Sequence, residues 1–233
     1  GQTIYHAPKS LHPNSEYDPA TLQIGDGDHI AVTTGILTLS DFRQKHVAAG
    51  GEGAPLAVYG DYLLCSHLTE NRLLLNMGGI ANFTYLSAGC SLDQVFSTDT
   101  GTGNTLMDAY TRAYFAPLAY DKDGAIAAAG KINAALLHEL KAHSFFTLDL
   151  PKTIGPELFN LEFLEKAQKA SHTAELSPED VMATLNRFSA ETIADCIQSS
   201  IPAGTKFNMY SSGGGMHNPV LMGHLTSLLP NAT

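Results

Sequence analysis

The run Arg72 to Leu86, RLLLNMGGIANFTYL, limits the possible folds of this 233-residue chain more than any other stretch. Two β-prone segments separated by Gly78 and Gly79 predict a tight hairpin, since glycine supplies the backbone conformations such turns need. DQVFSTD reads as the next strand, and TGTGN as a loop opening the helix LMDAYTRAYF. Further on, the strand KFNMYSS meets Gly213, Gly214 and Gly215 and then a helix from Asn218, with proline at its first position. Strands that pass through glycine into helices predict an α/β chain.

Between these landmarks, Lys131 to His143 carries apolar residues at 132, 136, 137 and 140, a helical spacing. PKTIGPELFN, from Pro151 to Asn160, predicts a loop running into a short helix. Ser177 as N-cap, Pro178 in the first turn and apolar residues at 181, 185, 188, 193 and 197 predict a helix reaching to about Ile201. In residues 1–40 the runs TIYH, LQIG, HIAV and ILTLS, bounded by turn residues, predict strands. Residues 57–71 carry no clear period.

MGGIAN, DTGTGN and SGGGMHN thus each follow a predicted strand. Backbone without Cβ lets a ligand approach closely, and free N–H groups at a turn or helix start bind phosphate oxygens. Neither GxxxxGK[ST] nor GxGxxG occurs, so the choice lies between nucleotide binding of another kind and three structural turns. Asp99, at the expected strand end, either binds Mg2+ through water or accepts from helix-start amides. Asp121, Asp123 and Gly124 in DKDG look like part of a calcium loop whose later ligands are missing, and predict a solvated turn. Asp41 to Leu56, DFRQKHVAAGGEGAPL, sets Asp41, Arg43, Lys45, His46 and Glu52 beside Gly50, Gly51 and Gly53 after ILTLS, as a cleft at a strand's exit would. His46 is the most suggestive base, because imidazole takes a proton near neutral pH; a hydrogen-bonded surface histidine is the plainer alternative.

A net charge of -10, from 13 basic and 23 acidic residues, disfavours non-specific binding to nucleic acid or anionic membrane. Cys65, Cys90 and Cys196 have neither disulfide nor zinc spacing, which predicts reduced thiols in a reducing cytosol. No apolar run approaches the ~20 residues that span a bilayer. GQTIYHAP reads as a chain entered midway.

Taken in order, GQTIYH, LQIGDGDHIA, TTG, DFRQKHVAAGGEGAPL, LNMGGIANFTYL, DTGTGN, LMDAY, YDKDG, PKTIGPELFN, DVMATL and GGGMHNPVLM resemble the anhydro-N-acetylmuramic acid kinases of bacteria, over nearly the whole chain. The resemblance implies a sugar kinase/Hsp70/actin-like fold with two ribonuclease-H-like α/β domains, 1–71 on the sugar side and 72–233 on the nucleotide side. It implies a cytoplasmic enzyme of peptidoglycan recycling that uses ATP and Mg2+ to phosphorylate O6 of an amino sugar while its 1,6-anhydro bond is hydrolysed. It allows a homodimer and gives no nucleic-acid or membrane partner.

By the same resemblance Gln2, Thr3, Thr33, Thr34, Arg43, Gly50, Gly51 and Glu52 bind sugar. Gly78, Gly79, Asn82, Asp99, Gly101, Gly103, Asn104, Gly213, Gly214, Gly215 and Asn218 bind nucleotide. His46 stands where the family's FRxxDVA pattern has the aspartate base that activates water. Glu52, Thr102 and Pro156 also depart from the family's usual glutamine, proline and arginine. A GTSxDGxD phosphate turn is expected upstream of Gly1, and a further segment after Leu229. The readings in competition are a kinase, a non-catalytic sugar- or nucleotide-binding relative, and a structural domain whose glycine loops are only turns.

Overall fold

The computed structural model describes residues 2–7, 16, 18, 20–51, 53, 54, 56–155 and 158–233. They form two compact units, Gly1–Gly60 and Asp61–Thr233. In the first, β1 (Gln2–Ala7) and β2 (Ala20–Ile24) pair antiparallel. They are followed by α1 (Gly27–Thr34) and α2 (Phe42–Ala48), and α3 (Ala57–Cys65) begins at the unit's end.

Two strand expectations in this unit fail. HIAV lies inside α1, because caps at both ends of an eight-residue segment outweigh the β preference of Ile30 and Val32. The Asp26 carboxylate accepts from the Asp28 and His29 N–H groups, and Gly35, at φ 69°, donates to the Ala31 carbonyl. ILTLS is irregular, with Leu37 and Leu39 exposed, since β propensity is realised only against a pairing edge. Asp41 to Leu56 therefore does not leave a strand; it holds α2 and the glycine turn after it. The unreadable 57–71 stretch supplies α3.

In the second unit, β3 (Arg72–Met77), β4 (Ile80–Leu86), β5 (Phe96–Thr102) and β6 (Asn208–Ser212) form one sheet in the order β5-β4-β3-β6. The first three run antiparallel and β6 lies parallel to β3. At the chain's end the Met209 N–H donates to the Thr233 carbonyl and the Thr233 N–H to the Phe207 carbonyl, so the last residues pair in parallel along β6. Third, second, first, fourth, with the fourth parallel to the first, is the ribonuclease-H-like arrangement of the expected fold.

The helices are α4 (Thr105–Tyr114), α5 (Ala125–Ala129), α6 (Ala134–Lys141), α7 (Leu161–Ala170), α8 (Pro178–Ser200) and α9 (Pro219–Leu228). α8 begins where expected, with the Ser177 hydroxyl accepting from the Asp180 N–H. This 23-residue helix joins two cores. Its Ala190, Ile193, Ala194 and Ile197 pack on Leu73, Leu75, Met77 and Phe83 of the sheet. Its Val181, Met182, Leu185 and Phe188 pack on α4, α6 and α7. Cys65, Cys90 and Cys196 are free thiols.

Candidate functional site

The glycine segments of the second unit meet around Met77, at the end of β3. The Gly78 and Gly79 carbonyls accept three backbone N–H groups: Asn104 N donates to Gly78 O at 2.9 Å, and Gly103 N and Thr105 N donate to Gly79 O at 2.8 and 3.1 Å. The Asn104 side-chain amide donates to the Met77 carbonyl at 3.1 Å. A Cβ on Gly103 would sit 2.3 Å from the Gly78 carbonyl oxygen, and one on Gly213, at φ 82°, 2.7 Å from that of Met77. Gly215 lies against the Met77 side chain just as closely. Glycine is needed at Gly103 and Gly213 because backbone packs directly on backbone.

This corrects the reading of DTGTGN. Its first four residues belong to β5, because Gly101 and Thr102 keep pairing with Ala81 and Ile80. Only Gly103 and Asn104 form the connection to α4, and their N–H groups brace the hairpin rather than standing free. Among the N–H groups of the described residues that donate to no protein acceptor here are those of Gly78, Gly79, Gly213 and Gly214. Four such donors at adjoining turns make a concavity suited to anionic oxygens.

Across the sheet, Asp99 pairs with Asn82, Asn82 with Asn76, and Asn76 with Ser212, which makes a polar row over all four strands. Asn76 was missed in the sequence, although it and Asn82 stand three residues either side of Gly79, the symmetry of a hairpin register. Asp99 sits within β5, not at a helix start, and its carboxylate accepts from the Ile154 N–H at 2.8 Å. Burial raises its pKa above the ordinary aspartate value, opposed by the Ile154 and Thr153 hydrogen bonds. A raised carboxyl stabilises the fold while protonated, and that contribution disappears as pH rises through the raised value. In nucleotide-free protein, wild type is therefore expected to lose stability relative to Asp99→Asn as pH rises above the ordinary aspartate range, as urea midpoints would show.

Beside the glycine junction lies a groove of about 590 Å³ lined by Asn104, Met107, Asp108, Tyr120, Asp121, Lys122, Asp123, Gly214, His217 and Asn218. Asn218 caps α9, its side-chain oxygen accepting from Val220 N and Leu221 N, as expected. The solvated turn expected at DKDG is overturned for Asp121, which is buried, its two oxygens accepting from Ile126 N and Ala127 N at the start of α5. Gly124, at φ 67°, packs against the Asn218 side chain, so DKDG becomes a wall of the groove. Among the described residues no three His, Cys, Asp or Glu side chains gather as a metal site.

In the first unit, His46 lies on α2 with its ring on the turn that follows. The Gly53 N–H donates to His46 Nδ1 at 3.1 Å, and a Cβ on Gly51 would lie 2.2 Å from Nε2. An Nδ1 that accepts is unprotonated, so the neutral ring carries its proton on Nε2 and keeps no free lone pair. Arg43 is half-buried on the same helix, and Gly50, at φ 89°, opens the turn. Thr33 and Thr34 end α1, and no hydrogen bond among the described residues links them to His46. Gln2 and Thr3 pair with Ile24 and Gln23 through the backbone of β1. Glu52 and Pro156 lie outside the described residues.

A family model described as anhydro-N-acetylmuramic acid kinase matches residues 1–233. Curated relatives carrying that name are 60% identical over 233 residues in Pseudoalteromonas atlantica, covering 100% of this chain and 58% of the relative. The protein of Pseudoalteromonas translucida is 59% identical, covering 99% and 57%, and that of Pasteurella multocida 43% identical, covering 99% and 58%. The chain thus spans under three-fifths of the length of these relatives.

Proposed function

The chain belongs to the anhydro-N-acetylmuramic acid kinase family, and on that premise we propose that the full-length protein binds ATP and phosphorylates O6 of 1,6-anhydro-N-acetylmuramic acid as water opens the anhydro bond. The carrying observation is the glycine junction, with N–H groups of Gly78, Gly79, Gly213 and Gly214 unengaged beside a groove of nucleoside size. These donors would hold the phosphate chain and offset the charge that develops on transfer. Gly103 and Asn104 keep the hairpin in place, and Asn218 fixes the start of α9. Mg2+ would rest chiefly on phosphate oxygens, with Asp99 and Asn82 offering oxygens from the sheet, and would neutralise charge on the transferring group. Residues 1–71 form the sugar side in this reading and 72–233 the nucleotide side, in a cytoplasmic enzyme of peptidoglycan recycling.

A second reading, binding without turnover, is favoured by His46, whose ring is engaged at Nδ1 and covered over Gly51 at Nε2. To take a proton from water, His46 must give up its bond with Gly53. Coupled assay of the full-length protein with ATP and the anhydro sugar separates the readings. If it is a kinase with His46 as base, wild type turns over and His46→Ala lowers kcat by roughly 10²–10⁴-fold. If it only binds, calorimetry records both ligands, wild type shows no turnover, and His46→Asp raises it. Absence of binding by either ligand would sink both readings.

A further inference from the structure

We propose that Asp108 is the residue that recognises the ribose hydroxyls of the bound nucleotide, a role that rests on the nucleotide reading of the groove. Three aspartates line this groove, and their surroundings set them apart. Asp121 has both oxygens engaged by Ile126 N and Ala127 N. Asp123 is exposed to solvent. Asp108 is half-buried, and among the described residues no hydrogen bond reaches its carboxylate. Arg112, one turn along α4, acts on it only through its charge, and burial pushes the pKa of Asp108 above the ordinary aspartate value. A half-buried carboxylate without a protein donor gains most from a ligand that supplies one and displaces its water.

The donor it would take follows from chemistry and position. An ionised carboxylate only accepts, so the ligand group must carry N–H or O–H, and a phosphate is repelled. Asp108 N donates to Asn104 O, so Asp108 stands one helical turn, about 6 Å, along α4 from the residue that braces the glycine junction. With phosphates at the junction, the ribose is the next part of a nucleotide along the groove, and its vicinal hydroxyls suit the two oxygens of one carboxylate. Tyr120 and Lys122 border the same groove and leave the base to their side.

Calorimetric titration of the full-length protein with ATP, 2′,3′-dideoxy-ATP and purine riboside triphosphate, which lacks the exocyclic amine, tests this. Wild type is expected to bind ATP roughly 10–100-fold more tightly than the dideoxy analogue, the scale of hydrogen bonds to a charged group. Asp108→Ala should reduce that ratio to about threefold or less by weakening ATP alone. Asp108→Asn, which keeps the side chain's shape, should also narrow it and serves if the alanine variant does not fold. A wild-type ratio near one, or a ratio unchanged in both variants, overturns the assignment. So does a discrimination by Asp108 that tracks the amine rather than the hydroxyls. If wild type does not bind ATP at all, the nucleotide reading falls with it, whereas ATP binding with a ratio independent of Asp108 removes only the ribose role.

Discussion

Gly103→Ala is expected to cost about 3 kcal/mol of stability and to abolish measurable nucleotide binding. The added Cβ would lie 2.3 Å from the Gly78 carbonyl oxygen and 3.3 Å from Ala81 N, and both are backbone atoms that no side-chain rotation can move. Relief requires the hairpin and the start of α4 to separate. That loosens the bonds from Gly103 N, Asn104 N and Thr105 N to the hairpin, and the Ser189 hydroxyl's bond to Gly103 O. Because Met77, Gly213 and Gly215 pack on the same corner, the unengaged N–H groups would lose their common geometry. Urea denaturation and ATP calorimetry of the full-length protein check the two effects. Gly223→Ala is the control: it lies inside α9 with nothing within 4 Å of an added Cβ, and should gain about 0.5–1 kcal/mol. A Gly103→Ala protein as stable and as competent to bind as wild type would show that the junction is not close-packed.

Phe159→Ala should lower stability by about 3–5 kcal/mol, the usual cost of deleting a buried aromatic ring. Phe159 is fully buried and its ring lies within 6.2 Å, centroid to centroid, of Phe145, Phe146, Phe163 and Phe188. Most of these contacts are edge to face, an arrangement that adds to simple burial. Those neighbours come from α7, α8 and the segment 144–147, so the cavity would open where three pieces of chain meet and none alone can fill it. Phe159→Leu should cost clearly less, since it retains most of the apolar volume. Thermal or urea unfolding of the variants reads both values, and equal losses for Ala and Leu would contradict the packing account.

Much of the second unit was legible because its signals are local. The Gly78-Gly79 hairpin, the Ser177 cap with Pro178, and Asn218 with Pro219 each act through residues two or three apart, and all three form as expected. The strand misreadings have one cause. HIAV and ILTLS carry β-branched and leucine-rich runs, but a strand needs an edge supplied from elsewhere. Asp26 and Gly35 close α1 locally, and Leu37 and Leu39 find no ladder. At Asp121 composition suggested a solvated turn, while burial against α5 made it a cap.

The sequence by itself determined the family, the α/β alternation and the positions where backbone must come close to something, because glycine and caps declare such needs within a few residues. Tertiary structure alone decided which of those positions face each other. It turned the DTGTGN amides into braces while leaving those of Gly78, Gly79, Gly213 and Gly214 unengaged. It closed His46 over Gly51 and Gly53, and it left a half-buried groove aspartate, Asp108, without a donor. Whether a polar group is engaged depends on partners brought from distant parts of the chain, and spacing along the sequence carries no record of them.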